Sequence, residues 1–217
     1  MTSVATAPHI REALASAHDQ LRCSGTWWDA EQLGAIVRRA SDGFAQRGTP
    51  PWSRTLDPEV DGLPAAAVAV IDTIATDAGS VDRTWAHRQI GELGDGAYVE
   101  LVGLTAVAVI IHMYAEAAGE TVGPFGSPAP DAGQPTRTRP DGLGDIGAHV
   151  PMLDPFAAAN VARALSLVPS ANAAFYTLVR PMYSSAGFDT LVWDTPLTRA
   201  QVELVAARVA AMNECFY

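Results

Sequence analysis

The sequence has little cysteine, few aromatic residues and little charge. It contains 217 residues but only 2 cysteines, Cys23 and Cys215, which are too few for a disulfide framework. Aromatic residues make up 7% of the chain and charged residues 18%. Lys and Arg total 14 against 24 Asp and Glu, giving a net charge of −10. Because such a chain repels a phosphate backbone, we expect no nucleic-acid partner.

Sequence signals for export, membrane insertion and cofactor binding are missing as well. Residues 1–20 contain no apolar core of the kind that a secretory signal needs. The longest charge-free apolar run, 101–115, is shorter than the roughly 20 residues that cross a bilayer, so it predicts a buried helix. Neither a GxGxxG pattern nor a P-loop is found, and the cysteines and five histidines are scattered singly. We therefore expect a cytoplasmic protein without membrane association, cofactor or metal.

What the sequence does contain is helical periodicity. Hydrophobic residues make up 48% of the chain, and its length suffices to bury roughly 70% of the unfolded surface. Apolar residues recur at spacings of three and four, which predicts an all-α fold, with only 190–193 a candidate for a short extended piece. Two pairs have the spacing of capping boxes, Thr26 with Asp29 and Thr198 with Gln201. The predicted helices cover 28–44, 64–79, a stretch around 85–90, 95–119, 156–168, 171–184 and 198–212.

An internal repeat divides this pattern. The tetrad Val-Glu-Leu-Val occurs at 99–102 and again at 202–205, early in an apolar helix each time. A helix-opening proline precedes each tetrad at a similar distance, Pro64 in the first case and Pro169 in the second. We expect a bundle of two related repeats. The predicted organisation is an N-terminal extension (1–24), a first repeat (25–122), a Pro/Gly-rich linker or wrapped loop (123–150) and a second repeat (151–217).

Each tetrad places a glutamate, Glu100 or Glu203, inside an otherwise apolar helix. A carboxylate buried without a partner is costly, and burial raises its pKa. The alternative for each residue is a solvent-facing position on an amphipathic helix. The residues that follow Glu203 favour a functional role for it.

The C-terminal segment, 197–217, resembles the alkylhydroperoxidase D-like proteins of the carboxymuconolactone decarboxylase superfamily. Glu203 is followed by Asn213 and then by Cys215, as in that family, where the helix bearing the glutamate leads to a Cys-x-x-Cys pair. More of the chain is similar to a two-repeat subgroup of alkylhydroperoxidase-related proteins, notably at 25–28, 98–100 and 163–169.

This resemblance implies a thiol-dependent hydroperoxide reductase. Cys215 would be the peroxide-facing or resolving thiol and Glu203 would orient the base, with a small peroxide as substrate and an unknown thiol as reductant. The second cysteine and the histidine of the motif would follow Tyr217, so we expect a longer native chain or, failing that, an inactive relative. The first repeat has His112 where Cys215 stands in the second, which makes it a scaffold with Glu100 as a relic or a structural hydrogen-bonding group. The family also implies a homo-oligomer.

Two other functions stay open at this point. The decarboxylase branch of the superfamily acts without thiol chemistry, so thiol-independent turnover would favour that branch. A non-catalytic helical oligomerisation module would have an unreactive Cys215. A thiolate that titrates well below the ordinary value of about 8.5 would instead favour the peroxidase.

Overall fold

The computed structural model describes residues 6–130, 132–154, 160–183 and 196–212. This part of the chain is mainly helical, so the predicted all-α class is confirmed. An antiparallel pair of two-residue strands places Leu143 opposite Leu153. The helices are α1 (Pro8–Gln20), α2 (Ala30–Ala45), α3 (Ala65–Asp77), α4 (Arg83–Leu93), α5 (Asp95–Ala118), α6 (Asn160–Arg163), α7 (Pro169–Tyr183) and α8 (Arg199–Met212), and the strands are β1 (Leu143–Gly144) and β2 (Met152–Leu153).

Helix α5 is the centre of the fold. It runs for 24 residues between Gly94 and Gly119, both with positive φ, as the sequence predicts from the glycines at its ends. It packs against α2, α3, α4 and α7, which explains why it is apolar on all sides. By length and composition alone it is the one helix of the described ranges that could cross a membrane, yet 67% of its most apolar stretch is buried inside the protein.

The start of α2 differs from the prediction in its cap. Asp29 accepts a hydrogen bond from the Gln32 backbone N–H, and the Gln32 side chain accepts one from the Asp29 backbone N–H. The capping box is therefore Asp29 with Gln32, whereas Thr26 with Asp29 was predicted. The Thr26 backbone N–H is instead bonded to the Glu100 carboxylate, a contact that sequence spacing does not reveal.

The predicted N-terminal extension contains helix α1. This helix packs against α7 and buries Ala13 and Ala17, and Leu21 follows it into the core. Its apolar face consists mostly of alanines, which give a weak periodic signal among charged and histidine residues.

The Pro/Gly-rich segment wraps around the loop that follows α1. Its backbone exchanges hydrogen bonds with that loop, from Ala129 N–H to Arg22 carbonyl and from Ser24 N–H to Ala132 carbonyl, both at 2.8 Å. Further along, the Arg137 N–H donates to the Thr26 carbonyl. Of the two predictions for this segment, a linker or a wrapped loop, the described residues form the wrapped loop.

The second half of the chain is less regular than predicted. The helix expected over 156–168 is described only as the single turn α6 followed by turns, while α7 opens at Pro169 and contains Pro181. Thr198 and Gln201 form the predicted capping box of α8. Helix α8 makes at most slight contact with the other described elements, and its side chains are largely exposed. The predicted extended piece at 190–193 lies outside the described residues.

Candidate functional site

A cavity of about 360 Å³ opens between α1, α5, α7 and the loop that follows α1. Apolar side chains form most of its wall, which suits a small apolar molecule. The polar residues around it are few: Gln20, Cys23, Ser24, Glu100 and Ser170.

Glu100 is the buried polar group of this cavity, with only 2% of its surface exposed. Its Oε1 accepts a hydrogen bond from the Thr26 backbone N–H at 2.7 Å. Its Oε2 accepts from the backbone N–H groups of Trp27 at 2.7 Å and Trp28 at 3.1 Å. One carboxylate therefore satisfies three consecutive backbone donors just before α2, which fixes this loop against α5.

Two effects act on the pKa of Glu100 in opposite directions. Burial raises it, because the cavity solvates the charged form poorly, and the three backbone N–H groups lower it. Burial is the larger effect, so the pKa of Glu100 lies above its ordinary value. The site thus holds a carboxyl group that takes up a proton more readily than an exposed glutamate does.

Glycines make this close packing possible. A Cβ atom on Gly25 would lie 2.4 Å from Oε1 of Glu100, and a Cβ atom on Gly96 would lie 2.2 Å from the Trp27 indole. Real Cβ atoms do not approach other atoms so closely, so a larger residue at either position would displace the Glu100 or Trp27 side chain. The stretch 25–28 and the glycine after Asp95 are therefore parts of one structural unit with Glu100.

Cys23 lines the same cavity. The residue is exposed, and its thiol makes a weak contact of 3.8 Å with the Asp19 carbonyl at the end of α1. In the sequence, Cys23 is one of two singly placed cysteines. Cys23 lies two positions before the 25–28 stretch, but only the fold brings it to the same cavity as Glu100, 77 positions further along the chain.

The site residues predicted from the C-terminal motif are placed differently. The Glu203 side chain is 54% exposed and forms an ion pair of 3.5 Å with Arg199, one turn earlier on α8. Glu203 is therefore solvent-facing, whereas Glu100 is buried. Cys215 lies outside the described residues. The structure brings Glu100 and Cys23 to one cavity and does not bring Glu203 to it.

His112, on α5, contacts side chains of α2. Its Nε2 lies 2.8 Å from the Ser41 hydroxyl, and its ring stacks on Phe44 with the centroids 5.5 Å apart. Burial, with a smaller contribution from His18, lowers the pKa of His112, so its neutral form is favoured. No group of three His, Cys, Asp or Glu side chains within the described ranges is arranged to hold a metal ion.

Comparison with protein-family models, with curated proteins and with solved structures gives no match for this chain.

Proposed function

We propose that this protein is an alkylhydroperoxidase-like thiol peroxidase with two related helical repeats, acting on small apolar hydroperoxides. The resemblance of the 25–28, 98–100 and 197–217 segments to that family supports the reaction type. The observation that carries the proposal is that Cys23 and the buried Glu100 line one apolar cavity. The cavity provides the substrate site, and its apolar wall favours organic hydroperoxides over hydrogen peroxide.

The thiol attacks the terminal oxygen of the hydroperoxide. A sulfur–oxygen bond forms while the oxygen–oxygen bond breaks, and the thiol proton goes to the departing alkoxide, which leaves as an alcohol. The cysteine is oxidised to a sulfenic acid and the hydroperoxide is reduced. A second thiol, either Cys215 or an external small thiol, then condenses with the sulfenic acid to give a disulfide and water. Glu100 acts as a positioning residue, since it holds the loop that follows Cys23.

The experiment compares Cys23→Ser with Cys215→Ser. Loss of free thiol is followed after adding cumene hydroperoxide or hydrogen peroxide, with free cysteine as the reference reaction. We expect wild type to react faster with cumene hydroperoxide than free cysteine does, and Cys23→Ser to lose this advantage. If Cys215→Ser loses it and Cys23→Ser keeps it, the reacting thiol is the one predicted from the C-terminal motif. If wild type reacted with cumene hydroperoxide no faster than free cysteine does, the peroxidase proposal would be refuted.

A bulky side chain at the rim gives a second test. Ala173 is an exposed residue of α7 that lines the cavity, so Ala173→Trp narrows the entrance with little effect on the core. We expect this variant to slow the reaction with cumene hydroperoxide and to leave the reaction with hydrogen peroxide unchanged. Equal slowing of both reactions, or of neither, would show that the cavity is not the substrate site.

One observation favours a second candidate, a helical oligomerisation module. Three apolar residues of α8 are largely exposed: Leu204 to 71%, Val205 to 59% and Met212 to 68%. Several exposed apolar side chains on one helix can mark an interaction surface. Sedimentation equilibrium of wild type and of the double variant Leu204→Ser, Val205→Ser tests it. A dimer or larger assembly that the double variant disrupts, combined with unreactive cysteines, would favour the module over the peroxidase.

A further inference from the structure

A second cavity, of about 480 Å³, lies on a different face of α5 from the Glu100 cavity. It is bounded by the start of α4, by α5, by the 146–150 segment, by Met152 of β2, and by Asn160, Ala164 and Leu165 in and just after α6. The proposed peroxidase reaction does not use it. It differs from the first cavity because it combines basic side chains, a buried phenol and an apolar wall.

The basic side chains are Arg83 and His149, which line the cavity, and His87, whose ring meets that of His149 edge to face at a centroid distance of 5.6 Å. Two carboxylates lie close to these basic residues in the sequence, and each accepts a hydrogen bond from a nearby backbone N–H group. The Asp82 side chain accepts a hydrogen bond from the Trp85 backbone N–H, and the Asp145 side chain accepts one from the Gly147 backbone N–H. No ion pair joins either carboxylate to these basic groups in the described part of the chain.

The pKa of His149 is lowered, mainly by burial and to a smaller extent by its basic neighbours, Arg83 and His87. No neighbouring carboxylate raises it to an extent that offsets these effects. A bound anion would supply the missing negative charge in a chain whose overall charge, −10, otherwise repels anions.

Tyr98 also lines the cavity and is only 8% exposed. Burial raises the pKa of Tyr98, so its hydroxyl stays protonated and can donate a hydrogen bond. An oxygen atom of a ligand in the cavity would accept that hydrogen bond.

We propose that this cavity binds a small organic acid that has an apolar body and a second oxygen atom. The carboxylate lies at Arg83 and His149, and Arg83 supplies charge-assisted hydrogen bonds. The second oxygen accepts the hydrogen bond of the Tyr98 hydroxyl. The body contacts the apolar wall, formed by Val99, Val102, Val150, Met152 and Leu165. This binding is independent of peroxide reduction.

Three probe compounds separate these contributions. Isothermal titration of the full chain uses 4-hydroxyphenylacetate, phenylacetate, which lacks the second oxygen, and tyramine, which replaces the carboxylate by an ammonium group. We expect 4-hydroxyphenylacetate to bind most tightly, phenylacetate more weakly, and tyramine not measurably. Tyramine binding as tight as that of the acids, or no binding of either acid, would overturn the proposal.

Variants then assign each contact. Arg83→Gln should weaken both acids about tenfold or more, because a charge-assisted contact is lost. Arg88→Gln is the matched control, since Arg88 is an exposed arginine of the same helix that does not line the cavity. Tyr98→Phe should weaken 4-hydroxyphenylacetate about fivefold and leave phenylacetate unchanged.

A variant that narrows the Glu100 cavity tests whether the acids bind there instead. Ala173→Trp should leave the affinity for both acids unchanged, because Ala173 lines only the Glu100 cavity. Equal effects of Arg83→Gln and Arg88→Gln would show that the acids respond to net charge alone, and a loss caused by Ala173→Trp would place them in the first cavity. Either result overturns the proposal.

Discussion

Glu100 and Glu203 occupy the same place in the same tetrad, yet their surroundings differ completely. Glu100 is buried and accepts hydrogen bonds from three backbone N–H groups, while Glu203 is exposed and forms an ion pair with Arg199. The effect of replacing a residue depends on these surroundings. The two glutamates therefore form a matched pair for mutagenesis.

Glu100→Ala should destabilise the protein by about 2 to 4 kcal/mol, because three buried or half-buried backbone N–H groups lose their acceptor and a cavity forms. Glu203→Ala should change the free energy of unfolding by less than about 0.5 kcal/mol, as is typical of exposed ion pairs. Urea denaturation of both variants measures the difference. Equal effects of the two substitutions would contradict the assigned roles.

The raised pKa of Glu100 predicts a pH dependence with a definite sign. Between the unfolded pKa, about 4.3, and the higher folded pKa, the folded state binds more protons than the unfolded state. The contribution of Glu100 to stability is therefore greatest below the unfolded pKa and falls as pH rises through the folded pKa. The stability of wild type relative to Glu100→Gln should decrease over this range. A difference that increases with pH would show that the backbone hydrogen bonds outweigh burial.

At the scale of the helix, two glycines near the junction of α4 and α5 have opposite roles. A Cβ atom on Gly96 would overlap the Trp27 indole, whereas a Cβ atom on Gly91 meets nothing within 4 Å. Gly96 is needed for the contact between α5 and the loop before α2. Gly91 only weakens α4, because glycine has a low helix propensity.

Gly96→Ala should therefore lower the melting temperature, and Gly91→Ala should raise it, with a gain in stability of up to about 1 kcal/mol. Thermal unfolding followed by circular dichroism compares the two variants directly. If Gly96→Ala were as stable as Gly91→Ala, Trp27 would not pack against α5 as described.

The strongest helix predictions rest on signals within a single element. Helix α5 was predicted almost to the residue, because a long apolar stretch is bounded by Gly94 and Gly119. The capping box of Thr198 and Gln201 was also predicted, because both of its residues lie at the start of one helix. Helix α1 was missed, since its buried face is mainly alanine and gains its meaning only from contact with α7.

The site was less predictable than the fold. Sequence spacing singled out Glu100 as a carboxylate in an apolar helix, but its partners lie more than 70 positions away. Cys23 carried no local signal, because its relation to Glu100 depends on how α1, α5 and α7 pack. The predicted role of Cys215 stays a prediction.

At the scale of the molecule, most described helices share one core while α8 stands apart. Residues of α2, α3, α5 and α7 belong to a single cluster of buried side chains, and α8 contributes none to it. Stability should therefore differ widely between helices, because a helix without buried contacts opens easily.

Hydrogen exchange followed by mass spectrometry tests this difference. In dilute protein we expect the amides of α8 to exchange fastest among the described helices and those of α5 slowest. If the amides of α8 became more protected as protein concentration rises, a second copy of the chain would be packing against this helix. Protection equal to that of α5 at all concentrations would contradict the exposed placement of α8.

The central claim is that Cys23 reacts with a peroxide held in the Glu100 cavity. Peptide mapping after a stoichiometric addition of cumene hydroperoxide, with a sulfenic-acid trap present, tests it most directly. We predict that the trap labels Cys23 first, and that Ala173→Trp suppresses this labelling. Labelling of Cys215 alone, or labelling of Cys23 that Ala173→Trp leaves unchanged, would contradict the claim.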